Sequence, residues 1–74
     1  MARFVALTGL EGQKYFFNID RISLESVVSY MKPGHHAPDP DAKWHSWTIV
    51  REEGQPDRLV EDHVDDILKA MHHK

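Results

Sequence analysis

The fold is decided by residues 22–30, which run Ile22-Ser23-Leu24-Glu25-Ser26-Val27-Val28-Ser29-Tyr30. In an extended chain the even-numbered side chains share one face, and all of them except Ser26 are apolar or aromatic. A helix over residues 23–31 is the competing structure. The adjacent valines at 27 and 28 disfavour it, and the apolar positions do not recur with a spacing of about 3.6. The stretch therefore predicts a long β-strand.

Upstream of this strand, two shorter segments predict a β-hairpin. Residues 3–8 are mostly apolar, and residues 15–19 (YFFNI) follow a loop that contains Gly9 and Gly12. A glycine-containing loop of this length is typical of antiparallel neighbours. Alternation puts Phe16 on the face opposite Tyr15 and Phe17, so we expect that second face to be partly covered too. A bend at residues 20–21 then leads into the long strand.

Downstream, the sequence predicts a loop, a second hairpin and a helix. Residues 32–42 form the loop, because they contain three prolines, a glycine and two aspartates. Residues 43–61 hold two strand patterns around a turn at Gly54. Residues 62–73 predict an amphipathic helix with Asp62 as its N-cap. Its apolar stripe, at i, i+3, i+4 and i+7, consists of Val64, Ile67, Leu68 and Met71.

These elements together predict a mainly β, α+β fold in a single domain over residues 1–74. We expect an antiparallel meander of about five strands, shaped like a small open barrel, with the C-terminal helix packed across it. A domain of 74 residues hides only about 60% of the surface that its unfolded chain exposes. Disulfides cannot supplement its stability because the chain has no cysteine, which leaves a partner subunit or a structural metal.

The composition excludes several classes of function. The absence of cysteine removes thiolate catalysis and favours a reducing compartment, so we expect a cytoplasmic protein. A net charge of −3 argues against a charge-driven nucleic-acid binder. No apolar run approaches the roughly 20 residues that cross a bilayer. No phosphate-binding glycine loop or nucleophile motif occurs, so we predict no enzymatic activity and no catalytic residues.

The order of the elements resembles the FlbD-like family of small proteins found in flagellar operons, and related short proteins of unknown function. The resemblance rests on Gly12 and on residues 4–8 (FVALT), 15–22 (YFFNIDRI) and 59–67 (LVEDHVDDI). The loop at residues 32–42 departs from that family's pattern. What the resemblance implies is a small regulatory or assembly role without known catalytic residues.

Metal-ligating side chains cluster in and after the loop, at His35, His36, Asp39, Asp41 and His45. Imidazole and carboxylate groups bind zinc and nickel, so His35, His36 and His45 predict a metal site as an alternative function. Adjacent histidines seldom chelate one ion, and the spacing matches no zinc motif. A solvated loop without a cofactor is the leading expectation, and a zinc or nickel site is its alternative.

Two tryptophans indicate a contact surface. Trp44 and Trp47 are three residues apart, so on a strand they point to opposite faces. We expect one to lie in the core and the other to be exposed for binding. The predicted partner-binding residues are Trp44, Trp47, Pro38 and His45. The predicted partner is another protein or a second copy in a homo-oligomer, and the predicted function is a small non-enzymatic regulatory or assembly module.

Overall fold

The computed structural model describes residues 3–31, 37–38, 40–41 and 43–72. Within them the chain forms five strands and one α-helix, which confirms the predicted mainly β, α+β class. The strands are β1 (Phe4–Thr8), β2 (Lys14–Asn18), β3 (Ile22–Ser29), β4 (His45–Glu52) and β5 (Arg58–Val60). A short 3-10 helix (Ile19–Arg21) separates β2 from β3, and the α-helix α1 (Val64–His72) follows β5.

Both predicted hairpins form, and β3 also pairs antiparallel with β4 across the proline-rich segment. The turns of the two hairpins place Gly12 at φ 89° and Gly54 at φ 81°. A side chain with a Cβ is strained at these angles, so glycine is the residue that lets each hairpin close. The long strand predicted from the alternation is β3, and it spans eight residues.

The strands divide into two open sheets, β1–β2 and β3–β4–β5, rather than the continuous meander expected from the sequence. The chain leaves β2 through the 3-10 helix, where the Asn18 side chain accepts a hydrogen bond from the Asp20 N–H at 3.0 Å. This turn directs β3 towards β4 and away from β2. The sheets meet elsewhere, through a bridge between Gly9 and Val60 and a bond from Glu61 N to the Thr8 carbonyl at 2.9 Å.

The core lies where the two sheets and α1 meet. One set of side chains is at most 8% exposed and forms a single cluster: Val5, Leu7, Phe17, Val50, Val60 and Ile67. Partly buried side chains pack around this cluster, namely Tyr15, Ile19, Ile22, Leu24 and Met71. Each sheet therefore contributes one alternating face, as the period of two predicts.

The helix docks through fewer residues than its sequence stripe predicts. Ile67 is fully buried and Met71 packs on the core, whereas Leu68 is 40% exposed. The expectation that Leu68 packs on the sheet is wrong, because it lies at the margin of a contact that is centred on Ile67. No helix in the described parts of the chain is long and apolar enough to cross a membrane.

Asp62 does not cap α1 as predicted. The helix begins at Val64, and its first hydrogen bond runs from Ile67 N to the His63 carbonyl. His63 therefore occupies the N-cap position that was predicted for Asp62. The Asp62 carboxylate instead accepts a hydrogen bond from the Thr8 N–H at 2.7 Å. Its carbonyl accepts a second one from the Thr48 hydroxyl, also at 2.7 Å. Tertiary partners have taken the place of the local cap.

The outer face of the β1–β2 hairpin is uncovered, contrary to the expectation for Phe16. Phe16 is 70% exposed, and Phe4, on the same face, is 64% exposed. The reason is that the core and the helix occupy only the inner face of this sheet. A second packed layer would require more chain than this small domain has.

Candidate binding surface

The β3–β4 ladder has a buried end and an exposed end. Its register runs from Ile22 opposite Glu52 to Ser29 opposite His45. Near the first end, Leu24 packs on the core opposite the fully buried Val50. Further along the same face, Val28 lies opposite Ser46, and both side chains are exposed. The face that forms the core thus continues outwards into solvent.

Large apolar side chains gather at the exposed end, and we call them the aromatic surface. It consists of Val28 (61% exposed), Tyr30 (42%), Met31 (40%) and Trp44 (60%). The ring centroids of Tyr30 and Trp44 are 3.6 Å apart with the ring planes tilted by 30°. The two rings therefore support one another just beyond the last paired residues of β3 and β4, while a large part of each ring remains open to contact.

The two tryptophans behave as the alternation predicts, with one buried and one exposed. Trp47 is 9% exposed and lies opposite Val27, on the face of the sheet that does not carry the core cluster. Burial at this level leaves little of Trp47 for a partner to contact. We therefore leave Trp47 out of the binding surface and keep Trp44.

The structure adds little to the predicted binding roles of Pro38 and His45. Pro38 is exposed. His45 is half-buried at the start of β4, where it pairs with Ser29. Neither observation assigns a contact with a partner protein, so the binding roles of both residues remain predictions.

Only some of the predicted metal ligands are among the residues that the structure describes. His35 and His36 lie outside the described residues, as does Asp39. Among the residues that are described, no group of three histidine, aspartate or glutamate side chains converges on a common point. The zinc or nickel site remains a prediction from the sequence.

The ion pairs of Arg51 lie on the face of the ladder opposite the aromatic surface. Arg51 contacts Glu25 at 3.0 Å and Asp57 at 3.3 Å. Arg51 and Glu25 occupy odd positions in the register, whereas Val28 and Ser46 occupy even positions on the other face. Arg51 therefore contributes no charge to the face that carries Val28.

The sequence pattern did not predict that Val28, Tyr30 and Met31 belong to the binding surface. The lengths of β3 and α1 indicate why they are exposed. The nine residues of α1 span about 14 Å at the usual rise of a helix. The eight residues of β3 span about 26 Å. One helix cannot cover the whole apolar face of such a strand, so the end remote from the helix stays exposed.

Comparison with protein-family models, with curated proteins and with solved structures gave no match to this chain. The resemblance to the FlbD-like family thus remains a prediction that rests on the residue pattern alone.

Proposed function

We propose that this protein is a small non-enzymatic binding module with a regulatory or assembly role, and that it contacts a protein through the aromatic surface. The observation that carries the proposal is the group of four large apolar side chains, each 40–61% exposed, at one end of the β3–β4 ladder. Single exposed apolar residues are ordinary on protein surfaces. Here the rings of Tyr30 and Trp44 are in contact and Val28 precedes Tyr30 by two residues, and such clustering is typical of an interaction site.

The chemistry of the surface supports a protein partner. Tyrosine and tryptophan supply large contact areas and have only two side-chain torsions to fix, so they are enriched among residues that dominate binding energy. The stacking of Tyr30 on Trp44 restrains both rings before any partner arrives. Methionine, here Met31, adapts its shape to irregular apolar surfaces. A cysteine-free chain is also suited to the reducing cytoplasm, where we place the module.

The position of the surface supports the same function. It lies at the end of a ladder whose other end is anchored in the core through Val50 and Leu24. A site on paired strands is held more rigidly than one on an isolated loop, which lowers the entropy lost on binding.

A photo-crosslinking residue at position 44 tests this proposal in cells that express the full chain. Trp44 is replaced by benzoylphenylalanine, and a matched variant carries the same group at Gln55, which is exposed in the turn between β4 and β5. We expect a discrete covalent adduct with a protein, either another chain or a second copy, from position 44 and none from position 55. Equal labelling at both positions, or none at position 44, would overturn the proposal.

A further inference from the structure

Strand β3 is an edge strand of the three-stranded sheet. The strand order of this sheet is β3–β4–β5, so within the described residues β3 has a neighbouring strand on one side only. Proteins protect such edges with short strands, prolines, lysines or bulges. β3 has eight residues, contains neither proline nor lysine, and pairs with β4 in unbroken register. Its single charged residue, Glu25, is bound to Arg51 of its own sheet.

The ladder fixes which backbone groups point away from β4. Glu53 N donates to the Arg21 carbonyl at 3.1 Å, which makes Arg21 and Glu53 a hydrogen-bonded pair. Such pairs alternate along an antiparallel ladder. The odd residues of β3 therefore bond to β4, whereas the N–H and C=O groups of its even residues, Leu24, Ser26 and Val28 among them, point towards the free edge.

We propose that a second copy of this chain adds to β3 in antiparallel orientation, about a two-fold axis that passes through Ser26. This proposal rests on the proposed function and names the partner that Val28 and Tyr30 of that surface would contact. In this register Ser26 pairs with its own equivalent, Leu24 lies opposite Val28, and Ile22 lies opposite Tyr30. All of these residues are even, so the hydrogen-bonding groups of both edges meet. Centring on Ser26 also uses the full length of residues 22–30.

The side chains and charges are compatible with this pairing. Val28 and Tyr30 would each lie beside a residue at the core end of the other copy, because Leu24 and Ile22 pack on the core. Cross-strand apolar pairs of this kind stabilise sheets. Glu25 faces Val27 of the second copy instead of Glu25, so no like charges stand directly opposite one another.

A charge swap at the two-fold axis tests both the partner and the register. Sedimentation equilibrium of the full chain should give the mass of a dimer. Ser26→Lys and Ser26→Glu should each raise the dimer dissociation constant at least tenfold, because like charges then face each other across the axis. An equimolar mixture of the two variants should recover the dimer as a heterodimer. Gln55→Lys, an exposed charge change away from β3, should leave the mass unchanged.

A backbone variant gives an independent measurement. Ser26→Pro removes one outward N–H and no bond to β4, so we expect a folded monomer with a cooperative melt. A Ser26→Pro dimer, or a Lys and Glu mixture that stays monomeric, would overturn the two-fold pairing. A wild-type monomer at all concentrations, together with a position-44 adduct to a different protein, would overturn the second copy as partner while leaving the proposed binding function standing.

Discussion

The two ends of the β3–β4 ladder have the same strand pairing and the same alternation, yet only one end is buried. Val50 is fully buried, whereas Val28, on the same face, is 61% exposed. The difference comes from coverage, because side chains of the β1–β2 sheet and Ile67 of α1 pack with Val50 at the core end. A single sheet face thus serves stability at one end and is available for binding at the other.

The largest expected effect comes from placing the same charge at each end. Ile67→Asp puts an unpaired carboxylate in a fully buried position, which costs more than a small domain has to spare, so we expect an unfolded chain at 25 °C. Val28→Asp should change the free energy of unfolding by less than about 1 kcal/mol, since that side chain meets solvent. Circular dichroism melts of both variants check this. A normal melt for Ile67→Asp would show that α1 is not docked on the sheets.

The two tryptophans provide a comparison of intermediate size. Trp47→Ala removes a side chain that is 9% exposed and should lower the free energy of unfolding by about 3 kcal/mol. Trp44→Ala removes a side chain that is 60% exposed, so we expect less than about 1 kcal/mol, and weaker association because Tyr30 loses the ring that it stacks on. Urea unfolding and sedimentation of the same samples separate the two effects. Equal losses of stability would show that the ends of the ladder do not differ as described.

The smallest expected effect concerns the junction of the two sheets. Asp62→Ala removes the acceptor of the Thr8 N–H and should lower the free energy of unfolding by about 1–3 kcal/mol. Glu61→Ala is the matched control, because that neighbouring side chain is exposed and should change stability by less than about 0.5 kcal/mol. Thermal melts of both variants provide the measurement. A smaller loss for Asp62→Ala than for Glu61→Ala would mean that the bond to Thr8 contributes nothing to joining the sheets.

The fold class and most elements could be predicted because they depend on local rules. The period of two across residues 22–30 identified β3, and glycine-containing loops identified both hairpins. The apolar stripe identified α1 and its buried Ile67, and the spacing of Trp44 and Trp47 put them on opposite faces. Strand pleat, turn geometry and helix pitch each act over a few residues, so the sequence contains them directly.

Two features could not be predicted in the same way: which sheet faces are covered, and which residues distant in the chain are hydrogen-bonded to each other. Asp62 has the sequence of an N-cap, yet its carboxylate bonds to Thr8, which lies 54 residues away in the chain. Phe16 has the sequence of a residue between two layers, yet it is 70% exposed because only one face of its sheet is packed. A local pattern shows that two side chains share a face. Whether that face is covered depends on the length and position of elements that are distant in the chain.

The sequence by itself therefore determined the strands, the turns, the helix and their alternating faces, because the geometry of the backbone imposes those periods on any chain. Only the tertiary structure decided that the sheet breaks after β2, that Trp47 is buried and Trp44 is exposed, and that Val28 and Tyr30 extend beyond the core. These outcomes follow from fitting a short helix and two small sheets around one cluster of side chains. That fit leaves one end of the longest ladder uncovered.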